Sequence, residues 1–168
     1  MLTETLEQIE SGTSLTQEEM ADTIDLIMQG VCAEEDIRDF LLALVAKGET
    51  VAEIAGAAGA MRKHMTILES SRDDLVDTCG TGGDGSGTFN ISTAAAIVAA
   101  GSGIAVAKHG NRSITSKTGS ADVLSELGVN IEASVGVMQQ SLEEAGICFC
   151  FAPLFHPAMR HVGPVRRL

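Results

Sequence analysis

The sequence contains no tryptophan and no tyrosine, and aromatic residues account for only 3% of its 168 positions. Hydrophobic residues nevertheless make up 45% of the chain, which is enough for a sizeable core and excludes an intrinsically disordered protein. With so few rings, that core must be mainly aliphatic. No apolar run is long enough to span a membrane, and the chain does not open with a signal-peptide pattern. We therefore expect a cytoplasmic protein that makes no membrane contact.

Basic residues are also scarce. Lysine and arginine number 11 against 23 aspartates and glutamates, which gives a formal net charge of −12. The imbalance lies entirely in residues 1–77, which carry 17 acids and 5 bases, whereas residues 78–168 carry 6 of each. Nucleic acids and anionic membranes call for a basic surface, so the composition argues against both as partners. The neutral second part is the more favourable place for an anionic ligand.

Cysteine patterns that indicate a metal centre or a redox pair are missing. The four cysteines form no C-x-x-C pair and have no zinc-binding spacing; they are Cys32, Cys79, Cys148 and Cys150. Cys148 and Cys150 alternate within an apolar run, as is typical of a buried strand. We predict reduced, buried thiols.

The first 70 residues have the pattern of four short helices. Apolar residues recur at helical spacing from Leu2 onwards, and Thr16 followed by Glu19 predicts a capping box for the second helix. A third helix is predicted over 34–46, and a fourth begins after Thr50 and runs to about residue 65. Glycines at the helix ends predict a small bundle with short connections.

The pattern changes to alternating strands and helices near residue 74. Strands are predicted over 74–78, 103–107 and 147–152, and helices over 92–100, 120–127 and 135–145, with a last helix after Pro157. Strands separated by crossover helices indicate a parallel sheet. The predicted fold class is therefore α/β: a small N-terminal helical bundle in residues 1–72, followed in residues 73–168 by the first part of a parallel-sheet α/β domain.

Two polar loops follow the first two predicted strands. Nine of the 18 glycines lie between Asp77 and Asp122, many of them in the first loop, where backbone amides can turn towards an anion. The helix predicted to begin near Ser92 adds its positive end. The second loop carries Lys108 and Arg112, whose charges suit phosphate. Ligands bind beyond the carboxyl ends of parallel strands, so the two loops predict a site for a phosphorylated anion.

The first loop matches neither of the common nucleotide-binding patterns. It has no Gly-Lys-Ser/Thr ending, which excludes a Walker A loop, and it lacks the dinucleotide-binding glycine spacing with a downstream acid. Asp84 is unusual in a loop built for anions, and three roles stay open for it: orienting a sugar hydroxyl, capping, or supporting a metal ion.

Three segments carry a resemblance to the anthranilate phosphoribosyltransferases: GTGGDGSGTFNIST at 80–93, KHGNRSITSKTGSADVLSELG at 108–128 and FHPAMRHVGPVRRL at 155–168. The resemblance covers essentially the whole chain, but only the N-terminal half of the family's longer chain. It implies a nucleoside phosphorylase/phosphoribosyltransferase type of α/β domain and a helical domain that forms a homodimer. It also implies the transfer of a phosphoribosyl group from phosphoribosyl pyrophosphate (PRPP) to anthranilate, with Mg²⁺ as cofactor.

The resemblance assigns residues to each ligand. Contacts to PRPP are implied for Gly80, Gly83, Asp84, Thr88, Asn90, Ile91, Ser92, Thr93, Lys108, His109, Gly110, Asn111, Arg112, Ser113, Ile114, Thr115, Ser116 and Ser120. Contacts to anthranilate are implied for Gly80, Asn111, His156 and Arg166, of which Arg166 would hold the carboxylate. Ser92 is implied as a magnesium ligand. The residues present no acid–base pair or nucleophile that the chemistry demands, so we assign no catalytic residue.

Two alternatives remain. Pyrimidine nucleoside phosphorylases share the architecture but do not account for the second loop or for Arg166. Nucleic-acid-binding relatives of the family should be basic, whereas this chain is acidic. Because the family's acidic magnesium ligands have no counterpart up to Leu168, we expect the 168-residue chain alone to associate without being active.

Overall fold

The computed structural model describes residues 2–80, 87–113 and 118–165. The helices are α1 (Leu2–Glu10), α2 (Gln17–Gln29), α3 (Glu34–Lys47), α4 (Val51–Lys63), α5 (Ile91–Gly101), α6 (Ser120–Glu126), α7 (Val135–Ala145) and α8 (Ala152–Phe155), with a 3₁₀ helix at Pro157–His161. The strands are β1 (Val106–Gly110) and β2 (Ile147–Phe151). A helical part followed by a parallel-sheet part confirms the predicted fold class.

The chain forms two compact units. The first combines Met1–Thr66 with His156–Leu168, and the second is Ile67–Phe155. The sequence-based division into 1–72 and 73–168 stays a prediction; in space, residues 156–165 pack with the helices that precede residue 67.

The ends of helix α2 in the helical unit are set by residues that the sequence places next to them. Thr16 Oγ1 accepts the N–H of Glu19 at 3.2 Å, and Glu19 Oε2 accepts the N–H of Thr16 at 2.7 Å, which confirms the predicted capping box. Helix α2 ends at Gly30, whose φ of 74° is accessible to glycine at little cost. Its buried face includes Met20, Ile24 and Ile27, so the predicted helical periodicity faces the core.

The sheet of the second unit is smaller than predicted. β1 and β2 pair in parallel with Val106 opposite Ile147 and Gly110 opposite Phe151. The predicted strand over 74–78 is present in the described residues only as one parallel bridge between Val76 and Val106. Two hydrogen bonds form this bridge, from Val76 N to Ala105 O at 2.9 Å and from Ala107 N to Val76 O at 3.0 Å.

The predicted strand over 103–107 is shifted. The Gly103 backbone has a φ of 88° and closes helix α5 through a bond from its N–H to Ala100 O, so β1 cannot begin before that turn is complete. The strand instead runs to Gly110, with Val106, Lys108 and Gly110 buried on one face. Lys108 and His109 therefore belong to β1 and not to the loop after it, which corrects the prediction.

Two further predictions need correction. The helix expected after Pro157 is a short 3₁₀ helix, which Gly163 and Pro164 follow closely. Cys148 and Cys150 are buried as predicted, but Cys79 is exposed and Cys32 is half-buried. Within the described ranges, no helix is long and apolar enough to cross a membrane.

Candidate functional site: an anion cradle at the end of β1

Lys108 lies at the centre of the candidate site. Its side chain points to the buried face of β1, the residue is only 2% exposed, and the ammonium lies 3.4 Å from both Thr78 Oγ1 and Ser92 Oγ. Burial lowers the pKa of Lys108, and the negative charge of Asp77 partly offsets that effect. A buried ammonium beside two hydroxyls forms a positively charged site that suits a phosphate group.

Asp77 connects the beginning of the first loop to β1. Its Oδ1 accepts the N–H of Cys79 at 2.9 Å and the N–H of His109 at 3.2 Å. Cys79 Sγ lies 3.7 Å from His109 Nδ1. The Cys79 residue is exposed, but partial burial of its thiol raises the pKa of that group, as does Asp77, and the ammonium of Lys108 offsets only part of this rise. The thiol is therefore protonated at neutral pH and is not an activated nucleophile.

The N-terminus of α5 borders the same site. Thr78 Oγ1 donates to Ser92 O at 2.7 Å, which ties the first turn of α5 to the segment that precedes the glycine loop. Asn90 joins the two loops, because its Nδ2 donates to Thr118 O at 3.2 Å while its Oδ1 accepts the hydroxyl of Thr93 at 3.0 Å. A helix N-terminus oriented in this way favours a bound anion.

The second loop is closed by Asp122 in the first turn of α6. The Oδ2 of Asp122 accepts the N–H groups of Gly119 at 2.8 Å and Ser113 at 3.0 Å, and its Oδ1 accepts from Arg112 Nη1 at 3.1 Å. The backbone bonds from Ser113 and Gly119 lower the pKa of Asp122, with a further contribution from Arg112. A carboxylate thus holds the two described ends of this loop together and pairs with the guanidinium of Arg112.

Two glycines allow the backbone to pack closely here. A Cβ on Gly119 would collide with the main chain of Asn111, Arg112 and Ser113, and a Cβ on Gly110 would collide with Ser120 Oγ and the ring of Phe149. These positions require glycine for space, and neither has a positive φ. At Gly80, by contrast, a Cβ would meet no atom within 4 Å.

The predicted site residues fall into three groups. The first group lies in the second unit, on or beside β1, α5 and α6. It consists of Gly80, Thr88, Asn90, Ile91, Ser92, Thr93, Lys108, His109, Gly110, Asn111, Arg112, Ser113 and Ser120. His156 belongs to the helical unit, where it precedes the 3₁₀ helix. Six lie outside the described residues: Gly83, Asp84, Ile114, Thr115, Ser116 and Arg166.

A magnesium ion would find few ligands among the described residues. No group of three or more His, Cys, Asp or Glu side chains in the described ranges could hold a metal ion. The predicted ligand, Ser92, is one hydroxyl that lies 3.4 Å from the ammonium of Lys108. One neutral oxygen beside a cation does not make a Mg²⁺ site, since such sites need several oxygen ligands, usually with carboxylates among them.

The sequence-based prediction missed three residues that organise the site: Asp77, Thr78 and Asp122. Asp122 had a recognisable signal, because it occupies the third position of a predicted helix, where acids cap the N-terminus. Asp77 and Thr78 had none beyond their place at the end of a predicted strand.

Comparisons with known proteins identify both parts of the chain. Residues 72–168 match the model of a glycosyl transferase family described as its a/b domain, and residues 3–65 match the helical bundle domain of a glycosyl transferase family.

Individual relatives give a narrower assignment. The anthranilate phosphoribosyltransferase of Rhodopirellula baltica is 59% identical over 156 residues, which are 93% of this chain and 46% of that protein. The crystal structure of anthranilate phosphoribosyltransferase from Thermus thermophilus superposes with a TM-score of 0.89 at 45% identity, over 97% of this chain and 50% of that one.

The anthranilate phosphoribosyltransferase of Saccharomyces cerevisiae in complex with PRPP and Mg superposes with a TM-score of 0.88 at 29% identity, over 99% of this chain and 50% of that one. This chain therefore spans about half the length of these relatives. On the family match, the sequence identities and the shared fold together, the chain belongs to the anthranilate phosphoribosyltransferase family of glycosyl transferases.

Proposed function

We propose that the full-length enzyme, meaning a protein of the relatives' length that carries this chain, transfers the phosphoribosyl group of PRPP to anthranilate. The products are N-(5-phosphoribosyl)anthranilate and pyrophosphate, in tryptophan biosynthesis. The observation that carries this proposal is the position of the buried Lys108 ammonium, 3.4 Å from the hydroxyls of Thr78 and Ser92 at the N-terminus of α5. Such a cradle matches the phosphates of PRPP, the ligand named for the yeast relative.

The proposed binding roles follow the positions of the residues. Within the second unit, the phosphates would be surrounded by Lys108, Ser92, Asn90 and the loop around Arg112. His109 and the other residues that the resemblance assigns to PRPP would lie beside these groups. Asn111, which is exposed at the end of β1, would reach towards anthranilate. For Gly83, Asp84, Ile114, Thr115, Ser116, His156 and Arg166, the roles rest on the resemblance alone.

The chain's own residues would act by binding and orientation. PRPP loses pyrophosphate as positive charge develops at the ribose carbon, so donors that hold the departing anion lower the barrier. Lys108 and the α5 N-terminus provide such donors. We assign no protein nucleophile, and the amine of anthranilate would attack a substrate held in position.

Magnesium is named with PRPP for the yeast relative. If it were bound here, it would supply neutralisation of negative charge on pyrophosphate. Of the residues that the resemblance assigns, only Ser92 is implied as a magnesium ligand, and the family's acidic magnesium ligands have no counterpart in residues 1–168. For this reason, we propose that the 168-residue chain by itself does not complete the reaction.

We also propose that the helical domain forms a homodimer. Several large apolar side chains on α3 and α4 are exposed, among them Leu42 at 62%, Val45 at 70% and Val51 at 84%. An apolar surface of this kind often marks a protein–protein interface. Sedimentation velocity of the 168-residue chain tests this proposal, and a monomer at all concentrations would contradict it.

A direct assay tests the activity. The full-length enzyme should consume anthranilate only when PRPP and Mg²⁺ are both present, with phosphoribosylanthranilate appearing in equal amount. Phosphorolysis of pyrimidine nucleosides without this reaction would favour the nucleoside phosphorylase alternative. Salt-dependent binding of DNA by an inactive enzyme would favour the nucleic-acid-binding relatives.

A further inference from the structure

Asp122 makes more hydrogen bonds than its place in the helix requires. An acid in the first turn of a helix ordinarily accepts the N–H of the capping residue, and Asp122 does so from Gly119 at 2.8 Å. The same oxygen also accepts the N–H of Ser113 at 3.0 Å. A helix cap gives no reason for this second bond, because Ser113 lies on the far side of the loop.

The two backbone bonds close the loop between β1 and α6. Ser113 and Gly119 lie near its two ends, and one carboxylate oxygen holds both. The adjacent backbone supports the closure, since Asn111 O accepts the N–H of Ala121 at 3.2 Å. The absence of a Cβ at Gly119 allows the two sides of the loop to approach closely.

The second oxygen of Asp122 holds the guanidinium of Arg112. The contact uses a single nitrogen, Nη1, at 3.1 Å, and the Arg112 side chain remains 55% exposed. Asp122 thus fixes the direction of the side chain without occupying the whole guanidinium fork. No other acceptor among the described residues bonds the guanidinium, so its remaining N–H groups can bind an oxyanion.

We propose that Asp122 is a positioning residue for PRPP: its carboxylate holds the Arg112 guanidinium and the backbone at Ser113 and Gly119 in the arrangement that receives the substrate's phosphates. The inference rests on the proposed function, because it presupposes that this loop binds PRPP. It assigns Asp122 no contact with the reacting atoms. A residue that only capped α6 would affect the stability of the protein but would not discriminate between the two substrates.

The test compares Asp122→Asn and Asp122→Glu with Glu19→Gln in the full-length enzyme. Asparagine keeps the size and one acceptor oxygen but cannot hold Arg112 by charge. Glutamate keeps the charge and can still cap a helix. Glu19 is the matched control, because it is also a first-turn acid in a capping box but lies on the helical unit, with Thr16 as its partner.

We expect Asp122→Asn to raise the KM for PRPP roughly tenfold, the loss expected for one charge-assisted hydrogen bond, while the KM for anthranilate stays unchanged. Asp122→Glu should give a KM for PRPP between those of the wild type and Asp122→Asn. Glu19→Gln should leave both KM values at the wild-type level. Thermal unfolding of each variant verifies that it is folded; if Asp122→Asn does not fold, Asp122→Glu decides.

The inference is overturned if the substitutions leave the KM for PRPP unchanged, or if they raise both KM values equally. Failure of the proposed function looks different, since the wild-type enzyme itself would then form no phosphoribosylanthranilate.

Discussion

Replacing Glu53 by glutamine tests how a buried charge stabilises the helical unit. The Glu53 side chain has no exposed surface, and its partner Lys47 is 8% exposed. Its Oε1 accepts the N–H of Leu15 at 2.9 Å. Its Oε2 accepts the N–H of Thr50 at 2.7 Å, the Thr50 hydroxyl at 2.9 Å and the Lys47 ammonium at 2.9 Å. One carboxylate thus connects the C-terminal end of α3 and the N-terminal end of α4 with the segment before α2.

The magnitude follows from the pKa of this carboxyl. Burial by itself raises the pKa of Glu53, but the bonds from Leu15, Thr50 and Lys47 outweigh that effect and lower the pKa from 4.5 to about 2. Each pKa unit corresponds to about 1.36 kcal/mol, so the full shift corresponds to about 3 kcal/mol of folding free energy. Glutamine retains one acceptor oxygen, so we expect Glu53→Gln to cost about 2–3 kcal/mol near neutral pH.

The pH dependence gives a second signature. Because the folded pKa lies below the unfolded one, the stabilisation is fully present above about pH 4.5 and is lost as the pH falls towards about 2. Glutamine does not titrate, so the difference between wild type and Glu53→Gln should shrink across this window. Urea unfolding of the 168-residue chain, followed by far-ultraviolet circular dichroism, measures both quantities.

The control is Glu19→Gln, which alters an exposed capping box of the same kind. Its effect should be clearly smaller, because solvent can replace the lost bond. The reasoning is refuted if the two variants cost the same, or if the cost of Glu53→Gln does not change between neutral pH and pH about 2.

Three further predictions concern the site and use the full-length enzyme. Arg112→Ala should raise the KM for PRPP roughly tenfold or more, with little effect on the KM for anthranilate; unchanged kinetics would remove Arg112 from the phosphate site. Gly119→Ala should lower both the affinity for PRPP and the thermal stability, because the added Cβ would collide with the backbone at Ser113. The control Gly136→Ala should lower neither, because a Cβ there meets no atom within 4 Å. Equal behaviour of the two variants would contradict the packing argument. Lys108→Met should raise the KM for PRPP roughly tenfold without lowering the unfolding temperature. The buried ammonium has no carboxylate partner among the described residues, so its removal relieves the cost of desolvating the charge. An unchanged KM would show that Lys108 has only a structural role.

The local structure of this protein was accessible from its sequence. Helix periodicity, the Thr16–Glu19 capping box and the glycine stop at Gly30 involve residues within a few positions of one another, so neighbouring residues suffice to specify them. The same holds for the concentration of glycines, hydroxyls and cations between Asp77 and Asp122, which predicts anion chemistry from residue type alone. The three motif segments added the family.

Tertiary structure decided which of those residues are buried and what holds them. Lys108 was expected in the loop after the strand, but the left-handed turn at Gly103 delays β1, and the strand then carries the ammonium into the interior. Glu53 resembles an ordinary capping acid until Leu15 and Lys47 reach it from other elements. Asp122 likewise gains Ser113 only once the loop is closed. Leu15 lies 38 positions from Glu53, and even the nearer partners lie beyond a single helix turn, at six positions for Lys47 and nine for Ser113. Because burial and charge pairing depend on how the chain brings such residues together, the pattern within one element could not have specified them.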